Sequence, residues 1–345
     1  MNRIDALRKM MGENEAVFIS SYPNIFYYSG FTSSDARLLI TQKRQILFTD
    51  SRYTIQAHQQ APDYEVCEIG KLEKVIKSLN EEVLCIEEED VSVLQFSKMQ
   101  KYGLKLKPFS KTIRFPRQIK DENEIKLISQ AESLGDEAFL HILNFIKVGR
   151  SEKEIALELE FFMRKKGAAA LSFETICASG IRSAMPHGTA SDKLIEKGDF
   201  VTLDFGCVID GYCSDMTRTV VVGSASEKQK EIYSIVLDAQ KVALEVLREG
   251  LRCSDGDKAA RDVITACGYA DNFGHSTGHS VGIEIHETPN LSAKSEDVLK
   301  AGNVVSVEPG IYIEGFGGVR IEDLVQITTN GIVNLTNSEK NLLEI

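Results

Sequence analysis

The chain reads as two domains, an α/β domain followed by a larger domain of helices and paired strands. Three observations carry that expectation. Residues 1 to about 112 alternate short apolar runs with helical patterns, the signature of an α/β layer. A polar, basic segment bracketed by Pro108 and Pro116 then interrupts the pattern. Beyond it, Asp210-Gly211 stands between apolar runs as a two-residue hairpin turn of type I′. At 345 residues the chain is long enough for each domain to hold its own core.

The elements follow in order. MNRIDALRKMMGENEA opens as an amphipathic helix, without the apolar centre of a signal peptide. Residues 16–20, 37–41, 45–49, 64–69 and 83–87 read as strands, and 51–60, 71–80 and 91–103 as helices among them. Tyr22, Tyr27 and Tyr28 are core residues on this reading rather than a substrate wall, and His58 and His141 have no neighbouring ligand set. Asp121 is an N-cap with Glu124 as its capping-box partner. Helices are expected over 121–147 and 151–166, with Gly149 between them and Gly167 closing the second. LSFETICASG is a strand leading to His187 in a Pro-His-Gly turn.

In DFVTLDFGCVIDGYCSDMTRTVVVG the turn sets a register. Ile209 opposes Tyr212, Gly206 opposes Asp215, and Asp204 lies diagonal to Asp215 on the same face. Gly206 is expected to leave room for an ion there. Helices over 226–248 and 254–267 come next, then strands over 303–309, 319–327 and 331–335 with a turn at 314–318. Glu308 precedes Pro309-Gly310, a bulge or strand-edge signal that re-aims a side chain. Glu308 and Glu322 share parity, so regular pairing puts both on one face.

Composition excludes several classes. A net charge of −11 argues against nucleic-acid and anionic-membrane surfaces. Seven cysteines without a CxxC pair indicate reduced thiols and a cytoplasmic protein. No apolar run is long enough to span a bilayer, and no G-x-G-x-x-G or P-loop supports a nucleotide role. Neither CASGIR nor CGYA offers the surround of a nucleophilic enzyme.

The chemistry concentrates in FGHSTGHSVGIEIHE (273–287), which holds His275, His279 and His286 punctuated by Gly274, Gly278 and Gly282. Glycines beside histidines suggest a backbone bent so that the rings converge. Asp204, Asp215, Glu308 and Glu322 each sit in a strand-like apolar run, where a carboxylate is costly unless paired or bound to a cation. Four carboxylates and one imidazole balance two divalent ions. The set is hard and oxygen-rich, so it suits Mn²⁺ and admits Co²⁺, Fe²⁺ or Zn²⁺. Two ions about 3.5–4 Å apart make a nucleophile from water at neutral pH, and unligated histidines move protons or stabilise an oxyanion.

PHG at 186–188, LDFG…SDMTRT, HSTGHSVGIEIHE, VEPGIY and GVRIED resemble, in order, the five signature regions of the creatinase/aminopeptidase ("pita-bread") metallopeptidases. SGFTSSDARLLIT and FTDSRYTIQA resemble the creatinase-type N-terminal domain. The resemblance covers most of the chain. It is greatest to bacterial Xaa-Pro aminopeptidases and Xaa-Pro dipeptidases. It implies a creatinase-type α/β domain over 1–115 and an α+β pita-bread catalytic domain over 120–345. By the same resemblance Asp204 chelates one ion, Asp215 and Glu322 bridge both, and His279 and Glu308 complete the second set. Glu308 is also the general base, and His187 and His286 act on the scissile amide and its tetrahedral intermediate. His275 contacts substrate beyond that bond, and Arg320 orients carboxylates beside it. A homodimer is expected on the same ground. Ser280 departs from the family, which usually has Gly after the ligand histidine, so crowding of the cleft is at issue. The chain also lacks Trp, so any Trp-lined substrate wall falls to Tyr or Phe.

The expected reaction is removal of an N-terminal residue from a following proline. Substrates are then Xaa-Pro dipeptides or peptides with proline second. Two rivals share the fold: a metal-free creatine-type amidinohydrolase and a non-catalytic binding module. Retention of all five ligand positions argues against both. No inserted loop in 268–318 serves as a lid, which favours a cleft open beyond the dipeptide.

Overall fold

The computed structural model describes residues 2–345 and divides into a unit ending at Arg117 and a second spanning Gln118–Ile345. No helix among the described residues is long and apolar enough to cross a membrane.

The first unit is built on a six-stranded mixed sheet. Its order is Glu65–Glu68, Gln45–Thr49, Ala36–Ile40, Glu15–Ile19, Val83–Ile86, Lys105–Pro108. The three strands Glu15–Ile19, Ala36–Ile40 and Gln45–Thr49 pair antiparallel, and the flanking ones join in parallel. Alternation sends Ala16, Phe18, Leu39, Ile46, Phe48, Leu84 and Ile86 to one core, shared with Ile76 and Met99 from the helices Leu72–Lys77 and Val93–Met99. The expected helix over 91–103 ends in a 3₁₀ turn, Gln100–Tyr102, before Gly103 at φ 91°. Three elements lie outside the sequence expectation, one of them the short helix Ser110–Arg114. Lys105–Pro108 is an edge strand, where charged and proline residues are tolerated because one side carries no partner. Tyr22–Ser29 is a short helix that begins with Pro23 in its first turn and ends at Gly30 in the left-handed region. It buries Tyr27 and Tyr28, as expected, but leaves Tyr22 exposed.

The second unit has two helix-covered cores with strands between. Helices Glu122–Leu143 and Glu152–Lys165 cover one, and Glu227–Val246 and Cys253–Ala266 the other. The capping box at Asp121 and Glu124 forms as expected, and Ser151 and Ser226 cap two further helices in the same way. A three-stranded sheet has Phe200–Phe205 at its centre, paired with Met216–Val221 on one side and Ile176–Ser179 on the other. A five-stranded sheet runs Glu287–Leu291, Gly278–Ser280, Val304–Val307, Asp323–Thr328, Gly331–Asn334, and a two-stranded one pairs Gly310–Ile313 with Gly317–Arg320.

Asp210 and Gly211 both have positive φ, so the I′ turn forms and Ile209 opposes Tyr212. The same offset continues to Phe205 and Met216. The role expected of Gly206 is overturned. A Cβ there would meet the Ser214 carbonyl oxygen at 2.0 Å, so glycine is required by backbone approach rather than by room for an ion. The single strand expected over 319–327 is also overturned. The chain breaks at Ile321-Glu322, with Gly317–Arg320 in one sheet and Asp323–Thr328 in another. Strand 303–309 likewise ends at Val307, and Gly310–Ile313 changes sheet. Both breaks occur at the same rung, since Val307 pairs Asp323 on one side and Gly310 pairs Arg320 on the other.

Candidate active site

Strand parity selects the site. Val201, Leu203 and Phe205 enter the first helical core, which turns Thr202 and Asp204 to the opposite face. Met216 and Val220 enter it too, leaving Asp215, Thr217 and Thr219 opposite. Val305, Val307, Val319 and Ile321 enter the second core, so Ser306, Glu308, Arg320 and Glu322 point away from it. The polar sides of these strands thus gather four carboxylates into a floor that the apolar sides hold rigid.

Donor oxygens of Asp204, Asp215 and Glu322 all lie within 4.8 Å of one another. His279 Nε2 is 3.4 Å from Asp215 Oδ2 and 3.4 Å from Glu308 Oε1. Gly278 allows this, because a Cβ there would meet the Ser306 carbonyl oxygen at 1.9 Å. The expected bend is therefore a close strand approach. Ser280 does not crowd the site: it is buried, and its hydroxyl donates to the Val304 carbonyl at 2.8 Å. The His286 ring packs edge-on against His279 at 4.4 Å. His187 is exposed on the loop after Ser179.

Arg320 ties the parts together. It donates to Asp204 Oδ2 at 2.5 Å, to Thr217 Oγ1 at 3.0 Å, to the Tyr312 hydroxyl at 2.8 Å and to the Pro186 carbonyl beside His187 at 3.2 Å. Thr217 Oγ1 in turn donates to Glu322 Oε2 at 2.7 Å. His275 lies one step further out. Its Nδ1 donates to the Ser276 carbonyl, so Nε2 accepts from the Tyr312 hydroxyl at 2.9 Å. Burial, with the Arg320 charge nearby, pushes the His275 pKa down to about 4 and keeps the ring neutral.

Electrostatically the floor is incomplete without a cation. Burial raises the pKa of Asp215 well above the usual range, and the charges of Glu322, Asp204 and Glu308 add to it. Glu322 is raised by burial and by Glu308 and Asp204, and Glu308 by burial with Asp204 against the opposing pull of Arg320. Asp204 Oδ1 and Glu322 Oε1 are buried with no hydrogen-bond donor among the described residues. His279 Nδ1 faces the Ser280 carbonyl at 3.2 Å and burial lowers its pKa, so Nε2 presents a lone pair to the two carboxylates. Acceptors facing acceptors is the arrangement a hard divalent ion satisfies, and the residues present fit such an ion.

Three supports escaped the sequence reading. Glu132, wholly buried on Glu122–Leu143, accepts from the Asp215 backbone N–H at 3.2 Å and from Thr336 Oγ1 at 2.5 Å. Burial pushes its pKa up to about 8. In sequence it looks like one more acid on a helix. Arg218, the largest fully buried side chain, donates to the Glu322 carbonyl, to the Ser338 and Glu339 carbonyls and to Asp323 at 2.8 Å. Its place in a strand between two threonines was a signal, since a lone arginine in a buried strand requires acceptors. Tyr312 has no such signal, because only the fold brings it between Arg320 and His275.

This donor set on a floor of paired strands has the chemistry of a divalent-metal hydrolase site. The model of metallopeptidase family M24 matches residues 126–329, and that of the creatinase/prolidase N-terminal domain matches residues 3–119. A protein named Xaa-Pro dipeptidase from Pyrococcus furiosus is 41% identical, with 99% of both chains covered. The solved Xaa-Pro dipeptidase from Bacillus anthracis has a TM-score of 0.97 at 44% identity, with 99% of both chains covered. The X-Pro aminopeptidase structure from Thermotoga maritima has a TM-score of 0.93 at 40% identity, with 100% of both chains covered. The chain belongs to metallopeptidase family M24, with the creatinase-type N-terminal domain and the pita-bread catalytic domain.

Proposed function

We propose that this metallopeptidase is an exopeptidase that hydrolyses the bond between an N-terminal residue and a following proline, with Xaa-Pro dipeptides as its substrates. The observation that carries the reading is the convergence of Asp204, Asp215 and Glu322 with His279 and Glu308, two buried carboxylate oxygens lacking donors. The dipeptide assignment is supported by the names of the Pyrococcus and Bacillus relatives, 41% and 44% identical.

In this reading Asp204, Asp215, His279, Glu308 and Glu322 would hold two divalent ions, Asp215 and Glu322 serving both, and the oxygen-rich set favours Mn²⁺. Ions bound there supply Lewis acidity to the scissile carbonyl and lower the pKa of water. Glu308 takes the proton of the attacking water and passes it towards the proline nitrogen, which as a tertiary amide carries no hydrogen of its own. His187 and His286 hydrogen-bond the developing oxyanion or the leaving group. His275 contacts the substrate beyond the bond, held as a neutral ring by Ser276 and Tyr312. Arg320 keeps Asp204 and Thr217 in place and reaches the His187 loop.

The test is kcat/KM for Ala-Pro against Ala-Pro-Pro-Ala at equal Mn²⁺. Cleavage of the longer peptide a hundredfold less efficiently supports the dipeptidase. Values within about tenfold, less than about 1.4 kcal/mol of differential transition-state binding, show a cleft open to peptides, as the Thermotoga relative's name suggests. No Mn²⁺-dependent hydrolysis of either would overturn the Xaa-Pro reading.

A further inference from the structure

The exposed histidine at 187 poses a problem of position. No hydrogen bond to its ring is present among the described residues, so its place comes entirely from the loop that carries it. That loop leaves the strand Ile176–Ser179 and comes back to it, where Thr189 bridges Ile176. A single carboxylate fastens both of its ends. Glu152 is wholly buried at the first position of the helix Glu152–Lys165. Its Oε1 accepts from the Ser179 N–H at 2.7 Å and the Ser179 hydroxyl at 2.8 Å. Its Oε2 accepts from the Ser191 N–H at 3.0 Å, the Ser191 hydroxyl at 2.7 Å and Arg182 Nε at 3.0 Å. Arg182 continues to the Thr189 carbonyl at 2.7 Å.

We infer that Glu152 is a positioning residue for His187, acting through the loop it straps. This rests on the proposed role of His187 in turnover. Every one of the five donors belongs to the loop or to the residue at either end of it, so the carboxylate stabilises this loop in particular. A helix N-terminus suits the negative charge, which makes the strap stiff. On its other side the loop is held against the metal floor: the Ser183 hydroxyl accepts from the Gly318 N–H at 2.9 Å, and Arg320 holds the Pro186 carbonyl. Gly188, next to His187, packs so closely on Ala178 that a Cβ would lie 3.2 Å from it. The loop is thus clamped between a buried anion and the arginine that also binds Asp204. A displacement of about 1 Å at such a group costs up to roughly 10²-fold in rate.

The test is a double-mutant cycle on the Mn²⁺-loaded enzyme. Glu152→Gln breaks the strap whichever way the amide turns, because its NH₂ must face either the Ser179 or the Ser191 N–H donor. We expect Glu152→Gln to lower kcat by roughly tenfold or more, with KM within about threefold and bound metal unchanged. In a His187→Ala background it should lower kcat by no more than about twofold. Equal loss in both backgrounds overturns the inference, because the effect then does not pass through His187. Wild-type turnover in Glu152→Gln beside a slow His187→Ala overturns it alone. Wild-type turnover in His187→Ala overturns both it and the role of His187. If Glu152→Gln does not fold, Arg182→Met removes one of the five bonds from a partly exposed side chain. It should then show a few-fold loss that vanishes in the His187→Ala background, and a loss that persists there overturns the inference.

Discussion

Glu87 in the first unit is as deeply buried as Asp215 and Glu322 in the second, at 3% exposure against 4% and 1%. The two units treat these carboxylates differently. Glu87 accepts from the N–H groups of Ser20 and Ser21, the Ser21 hydroxyl and Asn24 Nδ2, all within 2.8 Å. Its neighbour Glu88 accepts from the Phe109 and Ser110 N–H groups and the Ser110 hydroxyl. Burial raises the Glu88 pKa, yet these bonds outweigh it and hold the carboxyl below its usual range. The acidic run at 87–90 secures the starts of two helices and is thereby spent. In the second unit the carboxylates face one another, two oxygens have no donor, and burial with mutual repulsion raises Asp215 and Glu322. A satisfied buried acid is structural; an unsatisfied group of them is organised around something absent from the chain itself.

The largest effect should come from breaking the unsatisfied set. Asp215→Asn should lose metal and reduce turnover to background, because in the proposed reading the position serves both ions. Elemental analysis after Mn²⁺ reconstitution checks it, and full two-ion occupancy would count against a shared ligand. Metal-free Asp215→Asn should melt no lower than the metal-free parent, since it removes a repelling charge.

Next come the histidines beside the floor. His187→Ala and His286→Ala should each keep the metals and lose roughly 10²-fold in kcat. Steady-state kinetics with parallel metal analysis decides this, and near-normal turnover returns the residue to a structural role.

The satisfied acid should behave in the opposite way. Glu87→Ala orphans several donors and should cost about 2–3 kcal/mol of stability, with metal content unchanged. Denaturant unfolding measures this, and a loss below about 0.5 kcal/mol would mean that water replaces the carboxylate without penalty.

The smallest effect is expected at Ser280. Because its hydroxyl bonds the Val304 carbonyl inside the sheet, Ser280→Gly should cost about 1–2 kcal/mol and leave kcat/KM within about threefold. A large rise in activity would show that the hydroxyl does crowd the cleft.

Much of the site was legible because its signals are local. The Asp210-Gly211 turn carries its own φ requirement, and the offset it sets at Ile209 returns at Phe205 and Asp204, although the strands break between them at Gly206 and at Ser214-Asp215. Parity alone put Glu308 and Glu322 on one face, and the paired rungs on either side agree with it. The Asp121–Glu124 box needs only four residues to be recognised. What failed was any inference about continuity. Residues 319–327 keep an unbroken strand pattern in sequence, yet the chain changes sheets at Glu322 because its N–H bonds the Thr217 carbonyl, 105 residues away. Gly206 was assigned the wrong neighbour for the same reason.

The sequence by itself determined which residues would face away from the cores, since side-chain alternation and turn chemistry are properties of consecutive residues. It could not determine which buried acids would be satisfied. Glu87, Glu132, Glu152 and Glu322 are indistinguishable as glutamates in apolar or helical contexts. Their donors come from segments 27 to 204 residues distant, or in the case of Glu322 Oε1 do not come at all. Only the tertiary structure decides that difference, because a hydrogen bond or an ion requires atoms brought within about 3 Å, and chain proximity does not supply them.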